Sequence, residues 1–319
     1  MLEKKLQQKN QVGLYLTTDG IAVAEVEVSA DGQYGLKSCD FISSSGQTEQ
    51  LTQLVRYIRE NGLKKKPCIV VLEEAQYSLI QLPAPPVTDD ELQSAIRWNL
   101  KELINYPVEE AVIDVFRVPV QENREGKVYV VVSPKENIQQ TVEFIRKTGL
   151  TLRAIDIEEL SLGNIIDRMN DHQRGVAVLY LGQLLGSITL FSNSALYLSR
   201  KFDTGMKRLA ETQQDALHTQ DSDAGAAQQV FESIILELQR SLDYYESEFS
   251  RAPITKLIVA PKHPILQSFC DYVSSNTGLT VELMNLAQVY TDSTALNDEC
   301  QARCLPAIAA ASRTVKATV

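Results

Sequence analysis

The spacing of hydrophobic and polar residues at the start of the chain predicts a strand meander followed by a helix and another strand. Apolar residues at every second position lead into a turn at Asp19-Gly20, a pair that favours hairpins. Helical spacing of leucine and isoleucine follows and stops at Asn61-Gly62. Strands are predicted at 12–16, 21–28, 34–42 and 68–72, with a helix at 51–58. This order is typical of an α/β layer with a mixed sheet.

A proline-rich break at 82–86 separates this layer from a second pattern. Thr88 is placed to cap a helix, and the three acidic residues after it favour the positive end of the helix dipole. The elements that follow are predicted in the order helix, strand, strand, helix, at 88–103, 111–118, 127–132 and 134–149. We therefore expect residues 83–150 to form an inserted α+β subdomain.

The α/β pattern starts again after residue 150. Strands are predicted at 152–157, 176–181, 186–191, 195–201, 257–260 and 280–283, with helices at 159–169, 230–249, 265–277 and 300–313. The stretch 211–229 is polar and has no aromatic residue, which predicts a mobile connection. A module of meander plus helix therefore occurs twice, near residues 12 and 176.

Duplicated modules that each open with a hairpin are typical of the actin-like and sugar-kinase architecture, although other α/β proteins could give the same order of elements. The predicted division assigns 1–82 to a first-half core and 83–150 to the inserted subdomain. Residues 151–319 form the second half, with a smaller subdomain around 205–255.

The net charge of the chain limits the kinds of molecule that it is expected to bind. The 319 residues include 41 acidic and 31 basic side chains, which gives a net charge of −10. A general role in binding nucleic acid or anionic membrane would need a basic face, and no basic cluster of that size occurs in the sequence. No apolar run reaches the ~18 residues that a membrane helix needs. We therefore expect a cytoplasmic protein, and the scattered cysteines and histidines predict no metal site.

Three strings of residues make the pattern specific. The first contains Leu82-Pro83, Asp90-Glu91-Leu92, Ala95-Ile96-Arg97-Trp98, Tyr106-Pro107-Val108-Glu109-Glu110 and Asp114. The second contains Gly149-Leu150 and Ile155-Asp156-Ile157-Glu158, and the third is Glu237-Leu238-Gln239-Arg240-Ser241-Leu242-Asp243-Tyr244-Tyr245. With these strings, the chain from about residue 11 to 313 resembles PilM, the actin-like component of type IV pilus machines. The resemblance implies an actin-like (ribonuclease H-like) duplicated fold with the α+β insertion in its first half.

Two further strings favour one branch of this family. Trp98-Asn99-Leu100-Lys101-Glu102-Leu103 and Val115-Phe116 are most similar to MshI-type members, which serve the mannose-sensitive haemagglutinin (MSHA) pilus. The cytoplasmic domain of GspL, from type II secretion, is a more distant relative of the same kind.

The first nucleotide motif of the family is altered in this chain. Actin-like ATPases hold phosphates on glycine-rich hairpin turns, each with an acidic residue for Mg²⁺ or water. Tyr15 stands where the resemblance places the metal-associated aspartate, and Thr17 replaces a glycine beside Thr18. Asp19 lies further on, where the turn itself favours Asp-Gly.

The other two motifs are altered as well. In the second turn Gly182 is retained beside Gln183, but Tyr180 occupies the acidic position. In the late turn, Ala260 and Pro261 replace the two glycines expected under the adenosine. The resemblance therefore implies a protein without catalytic residues, metal or nucleotide cofactor.

We therefore expect a non-catalytic scaffold in MSHA-like type IV pilus biogenesis, held at the inner membrane only through partner proteins. The resemblance implies two partners: the N-terminal cytoplasmic tail of a PilN-like inner-membrane protein, and the pilus assembly ATPase. The walls expected for the tail are Tyr77, Leu79, Gln81, Leu82 and Trp98. The alternative is a nucleotide-binding actin-like ATPase that switches or polymerises. A small-molecule kinase of the same fold would need a catalytic aspartate in the cleft, and the sequence offers none in context.

Overall fold

The computed structural model describes the chain except for residues 1–9, 30–31, 120–124, 170–174, 219–223, 292–295 and 315–319. The chain divides into two compact units. The first comprises Met1–Asn164, Tyr290–Ala295 and Pro306–Val319, and the second comprises Ile165–Val289 and Leu296–Leu305.

The first unit contains a five-stranded sheet in the order β3-β2-β1-β4-β8. Its elements are β1 (Asn10–Thr17), β2 (Gly20–Val28), β3 (Tyr34–Ser43), α1 (Gln47–Glu60), β4 (Pro67–Val71), β8 (Thr151–Asp156) and α4 (Glu158–Ile166). Strands β1 to β3 form an antiparallel meander, whereas β1, β4 and β8 run parallel. One face of this sheet packs Val12, Leu14 and Val70 against Leu54 and Ile58 of α1 and against Phe144 and Ile145.

A three-stranded antiparallel sheet in the order β5-β7-β6 forms the inserted subdomain. Its elements are β5 (Ser78–Pro83), α2 (Asp89–Leu100), β6 (Ala111–Val118), β7 (Lys127–Pro134) and α3 (Lys135–Thr148). Thr88 and Glu91 form the capping box that begins α2. Strand β5 was not predicted. It ends at Pro83, which is tolerated there because β5 is an edge strand.

The second unit repeats the plan of the first sheet in the order β11-β10-β9-β12-β13. Its elements are β9 (Val176–Leu181), β10 (Gly186–Ser192), β11 (Ala195–Phe202), α5 (Met206–His218), α6 (Ala224–Phe249), β12 (Lys256–Ala260), α7 (Gln267–Asn276) and β13 (Thr280–Leu283). Each sheet is thus a three-stranded meander joined in parallel to two further strands. This repetition is the duplication that the sequence predicted.

Further predictions differ from the structure. The strand predicted at 152–157 was assigned to the second half, but β8 pairs in parallel with β4 of the first sheet. A strand that follows a crossover helix commonly returns beside the strand before it, which places β8 next to β4. The end of the chain was assigned to the second half as well, but residues from Pro306 onward belong to the first unit. The polar stretch 211–229 was predicted to be a mobile connection, but α5 covers 211–218 and α6 covers 224–229. Residues 219–223 lie outside the described residues.

The last helix is α8 (Asp298–Ala311), and its residues from Pro306 onward belong to the first unit. There it packs directly on β1, because a Cβ at Gly13 would lie 2.6 Å from the backbone nitrogen of Ala311. Gln11 secures the end of α8 by donating hydrogen bonds from its side chain to backbone carbonyls of Ala310, Ala311 and Arg313. Among the helices described, none has the length and apolarity to span a membrane.

Candidate functional site

Tyr15 fills the position at the end of β1 where the resemblance places a metal-associated aspartate. Its side chain packs with Ile69, Val71 and Ala310 on the α8 side of the sheet. Its hydroxyl lies 3.5 Å from a carboxylate oxygen of Glu158. A ring packed in this way gives the position an apolar surface and a hydroxyl in place of a charged metal ligand.

The turn after Tyr15 is closed by its own side chains. The Thr17 hydroxyl lies 2.7 Å from the Asp19 carboxylate and 3.0 Å from the carbonyl oxygen of Gly20. Gln50 donates a hydrogen bond of 2.8 Å to the carbonyl of Thr17, and the backbone of Thr18 bonds to Glu73. Burial raises the pKa of Glu73, although this hydrogen bond opposes the shift. The polar groups of the turn are therefore engaged within it and with its neighbours.

Three buried carboxylates lie where β8 passes into α4. Asp156 pairs with the Arg313 guanidinium at 3.0 Å and accepts a hydrogen bond of 2.9 Å from the backbone of Ile157. Burial raises the pKa of Asp156, with the Arg313 charge acting in the opposite direction. Glu158 and Glu159 contact the hydroxyls of Tyr15 and Tyr77, respectively. Carboxylate oxygens suit Mg²⁺, but here an arginine already supplies the positive charge to Asp156.

The second turn closes on the start of α5. The carbonyl of Gly182 accepts a hydrogen bond of 2.8 Å from the backbone N–H of Met206, and that of Gln183 accepts one of 3.0 Å from Lys207. Helix N-terminal N–H groups normally attract anions, but these two are already bonded to the turn. Gly205 permits the close approach, because a Cβ there would lie 2.6 Å from both carbonyl oxygens.

Tyr180 and Ala260 are neighbours on β9 and β12, and both are buried. Pro261 follows at the end of β12, is buried as well, and has no N–H to donate to a ligand. The structure thus brings Tyr180, Gly182, Gln183, Ala260 and Pro261 to one end of the second sheet, where β9 and β12 both terminate.

One face of the inserted sheet carries three of the residues expected to bind a partner. Tyr77 and Leu79 belong to a cluster with Leu72, Ile157 and Val131, which joins β5 to the first core. Gln81 lies on the same face by the alternation of a strand. Leu79 and Gln81 are half-buried, so an extended segment could contact them.

Leu82 and Trp98 lie elsewhere. Leu82 packs on the opposite face of the sheet, against the cluster formed with α2. Leu92, Ile96 and Leu100 of that helix point into the cluster, whereas Trp98 is 74% exposed on its outer side. The sheet therefore separates Trp98 from Leu79, so the two cannot wall one groove.

Three residues on the same face of the inserted sheet as Leu79 were not predicted from the sequence to bind a partner: Tyr129, Phe116 and Val131. Cross-strand pairing puts Gln81, Tyr129 and Phe116 in one row, and Leu79 beside Val131 in the next. The rings of Phe116 and Tyr129 stack with centroids 5.6 Å apart. Alternation along β6 is the signal that could have found this face, because Val112, Asp114 and Phe116 share it. We call the half-buried residues Leu79, Gln81, Val131 and Phe116 the tail face.

Comparisons with known proteins agree with this architecture. The chain is similar to a chain of the PilM–PilN type IV pilus biogenesis complex, with a TM-score of 0.70 and 19% identity over 98% of this chain and 100% of that one. It is also similar to the cytoplasmic domain of EpsL, an inner membrane component of the type II secretion system of Vibrio cholerae. That match has a TM-score of 0.51 and 13% identity over 88% of this chain and 93% of the other. No curated protein sequence matches the chain.

These similarities confirm the predicted actin-like α/β fold. A family model described as type IV pilus assembly protein PilM matches residues 42–311, which is well over half of the chain. The protein therefore belongs to the PilM family of type IV pilus assembly proteins.

Proposed function

We propose that this protein is a non-catalytic cytoplasmic adaptor of an MSHA-type pilus, held at the inner membrane through its partners. It binds the N-terminal cytoplasmic tail of a PilN-like membrane protein and connects it to the pilus assembly ATPase. The observation that carries this proposal is the tail face, where half-buried Leu79, Gln81, Val131 and Phe116 lie beside the core of the first unit. A similar protein forms a complex described as PilM–PilN.

The tail face suits an extended peptide. In an extended peptide, every second side chain points to the same side. Those side chains can contact the apolar and amide groups of the tail face. Gln81 offers both a donor and an acceptor, while Leu79 and Phe116 offer apolar surface.

Three local arrangements support the absence of catalysis. Tyr15 stands in the metal-associated position, and the carbonyls of Gly182 and Gln183 use the first N–H groups of α5. Pro261 replaces a glycine in the late turn. Each change removes a different contribution to nucleotide binding: the metal ligand, the phosphate-binding amides and close backbone approach.

A peptide titration tests the adaptor role. A fluorescein-labelled peptide from the cytoplasmic tail of a PilN-like protein of the same organism is titrated with the full chain, and anisotropy is recorded. We expect saturable binding that Phe116→Ala weakens at least about tenfold, a loss of about 1.4 kcal/mol. Trp98→Ala serves as the control, because Trp98 lies across the sheet. No binding, or equal losses in both variants, would refute the assignment of the tail face.

Calorimetry separates the adaptor from the alternative ATPase. Titration of the chain with Mg·ATP is expected to give no binding tighter than about 100 µM, which corresponds to about −5.5 kcal/mol. Tighter binding would favour an actin-like ATPase that switches or polymerises. The two measurements are independent, so the tail can bind whether or not the nucleotide does.

A further inference from the structure

The outer side of α2 exposes a large aromatic side chain with no structural role in its own subdomain. Trp98 is the one tryptophan of the chain, and its side chain is 74% exposed. The helix is held by its inward residues Leu92, Ile96 and Leu100, so packing does not require an indole at position 98. Tryptophan is the residue most enriched among those that dominate protein interfaces.

The sequence on both sides of Trp98 is rich in acidic residues. Residues 88–110 contain six acidic side chains and two basic ones. The acidic residues are Asp89, Asp90, Glu91, Glu102, Glu109 and Glu110. By helical spacing within α2, Glu91 lies two turns before Trp98 on the same side of the helix. Glu102 is exposed in the turn that directly follows the end of α2.

The two basic residues of the segment are already engaged. Arg97 is half-buried and donates a hydrogen bond of 3.1 Å to the carbonyl of Val108. Lys101 places its ammonium 4.7 Å from the centre of the Trp98 ring. The ring therefore already accepts a cation on its face. Among the acidic groups, Asp89 pairs with Arg117, and the Glu91 carboxylate accepts hydrogen bonds from Thr88 but keeps its charge. Carboxylates still outnumber cations in this segment.

We propose that this Trp98 surface, formed by Glu91, Trp98, Lys101 and Glu102, docks a basic segment of a partner protein. An arginine of that segment stacks on Trp98 in place of Lys101, and neighbouring basic groups pair with Glu91 and Glu102. Arginine is the better cation for this exchange because its guanidinium is planar and more weakly hydrated than an ammonium.

Charge argues for this occupant over the others. Anionic lipid and nucleic acid are repelled by the excess of carboxylates, and a second copy of this chain would bring its own net charge of −10. The Trp98 surface lies across the inserted sheet from the tail face, so this proposal does not depend on the proposed tail partner.

The single tryptophan makes the test direct. The full chain is titrated with a synthetic amphipathic helical peptide of leucine and arginine, and with the same peptide carrying glutamate for arginine, while indole fluorescence is followed. We expect a saturable change with the arginine peptide only. Raising salt from about 50 to about 300 mM is expected to weaken it severalfold, because exposed charges are screened.

Variants read by calorimetry complete the test. Trp98→Ala and Glu102→Lys are each expected to weaken binding of the arginine peptide at least about tenfold. Leu236→Ala, at another exposed apolar residue on the second unit, is the matched control and is expected to bind as the unchanged chain does. Circular dichroism and the thermal midpoint check that each variant is folded.

Four results would overturn the proposal. Two concern the peptides: equal binding of the glutamate peptide, or undiminished binding of the arginine peptide by Trp98→Ala. The other two are a change of indole fluorescence with vesicles of phosphatidylglycerol, or a change of indole fluorescence that depends on protein concentration alone. The last two would assign the surface to a membrane and to self-association, respectively. Unchanged binding by a Phe116→Ala variant shows that the tail face is not being measured.

Discussion

The hydroxyl of Tyr77 donates a hydrogen bond of 2.6 Å to the carboxylate of Glu159, and both side chains are buried. Tyr77 immediately precedes β5, and Glu159 lies in the first turn of α4. Burial, followed by the charges of Glu159 and Glu158, raises the pKa of Tyr77 well above its usual 10.0, so the hydroxyl keeps its proton. This bond therefore ties the inserted sheet to the first core beside the tail face.

Replacing Tyr77 measures how much this hydrogen bond contributes to the free energy of unfolding. Tyr77→Phe is expected to lower the free energy of unfolding by about 1.5–3 kcal/mol at neutral pH, because it removes a buried hydrogen bond to a carboxylate. In a Glu159→Gln background the same change is expected to cost only about 0.5–1.5 kcal/mol, since the acceptor is then neutral. Urea unfolding of the four proteins gives both values. Equal costs in the two backgrounds would show that the carboxylate does not strengthen the bond.

The Arg313–Asp156 pair predicts a pH-dependent stability. Arg313→Ala leaves a buried carboxyl group without its positive partner and is expected to cost about 1–3 kcal/mol at pH 7. This is less than for a fully buried pair, because Arg313 is 36% exposed. Thermal or urea unfolding from pH 3 to pH 8 measures the loss.

The sign follows from the pKa of Asp156, which burial raises above its ordinary 3.8. The folded state holds this proton more tightly than the unfolded state, so the contribution of Asp156 to stability falls as pH rises through this range. Removing Arg313 raises the pKa further, so the loss is expected to grow from pH 3 to pH 7. In an Asp156→Asn background the loss is expected to be smaller and independent of pH. A loss that is constant with pH in the unmodified background would contradict this account.

Gly13 predicts a large effect of a single methyl group. A Cβ at this position would collide with the backbone of α8 at Ala307 and Ala311, and backbone cannot move aside as a flexible side chain can. Gly13→Ala is therefore expected to destabilise the protein by about 3 kcal/mol or more. Gly278→Ala is the matched control, because a Cβ there meets nothing within 4 Å. It is expected to range from neutral to about 1 kcal/mol stabilising, and similar denaturation midpoints for the two variants would refute the packing of α8 on β1.

Trp98 predicts the fluorescence of the folded chain. Because the indole is 74% exposed, its emission maximum is expected to change little when the protein is unfolded in urea. Trp98→Ala is expected to alter the free energy of unfolding by no more than about 0.5 kcal/mol, as is usual for exposed positions. A large blue shift in the folded state, or a strongly destabilised variant, would show that the indole is buried by this chain itself.

Much of the fold could be predicted from local patterns. The two meanders, the helix after the first meander and the long helix α6 follow from alternation, helical spacing and turn residues such as Asp19-Gly20, and the structure has each at an overlapping position. Helix α5, which follows the second meander, was not predicted. Strand β5 was missed because Pro83 marks a break in sequence, whereas an edge strand tolerates a proline at its end. The position of β8 was missed because a strand does not encode its neighbour locally.

The amino-acid sequence by itself determined the identities that matter at the candidate sites: tyrosines at 15 and 180, a proline at 261, and a single tryptophan among carboxylates. Only the tertiary structure decided that Leu79 and Trp98 lie on opposite sides of the inserted sheet. Alternation puts successive residues of β5 on opposite faces, but which face α2 covers depends on long-range packing with β6 and β7. That packing places Leu82 against the α2 cluster, leaves the tail face half-buried and turns Trp98 towards solvent.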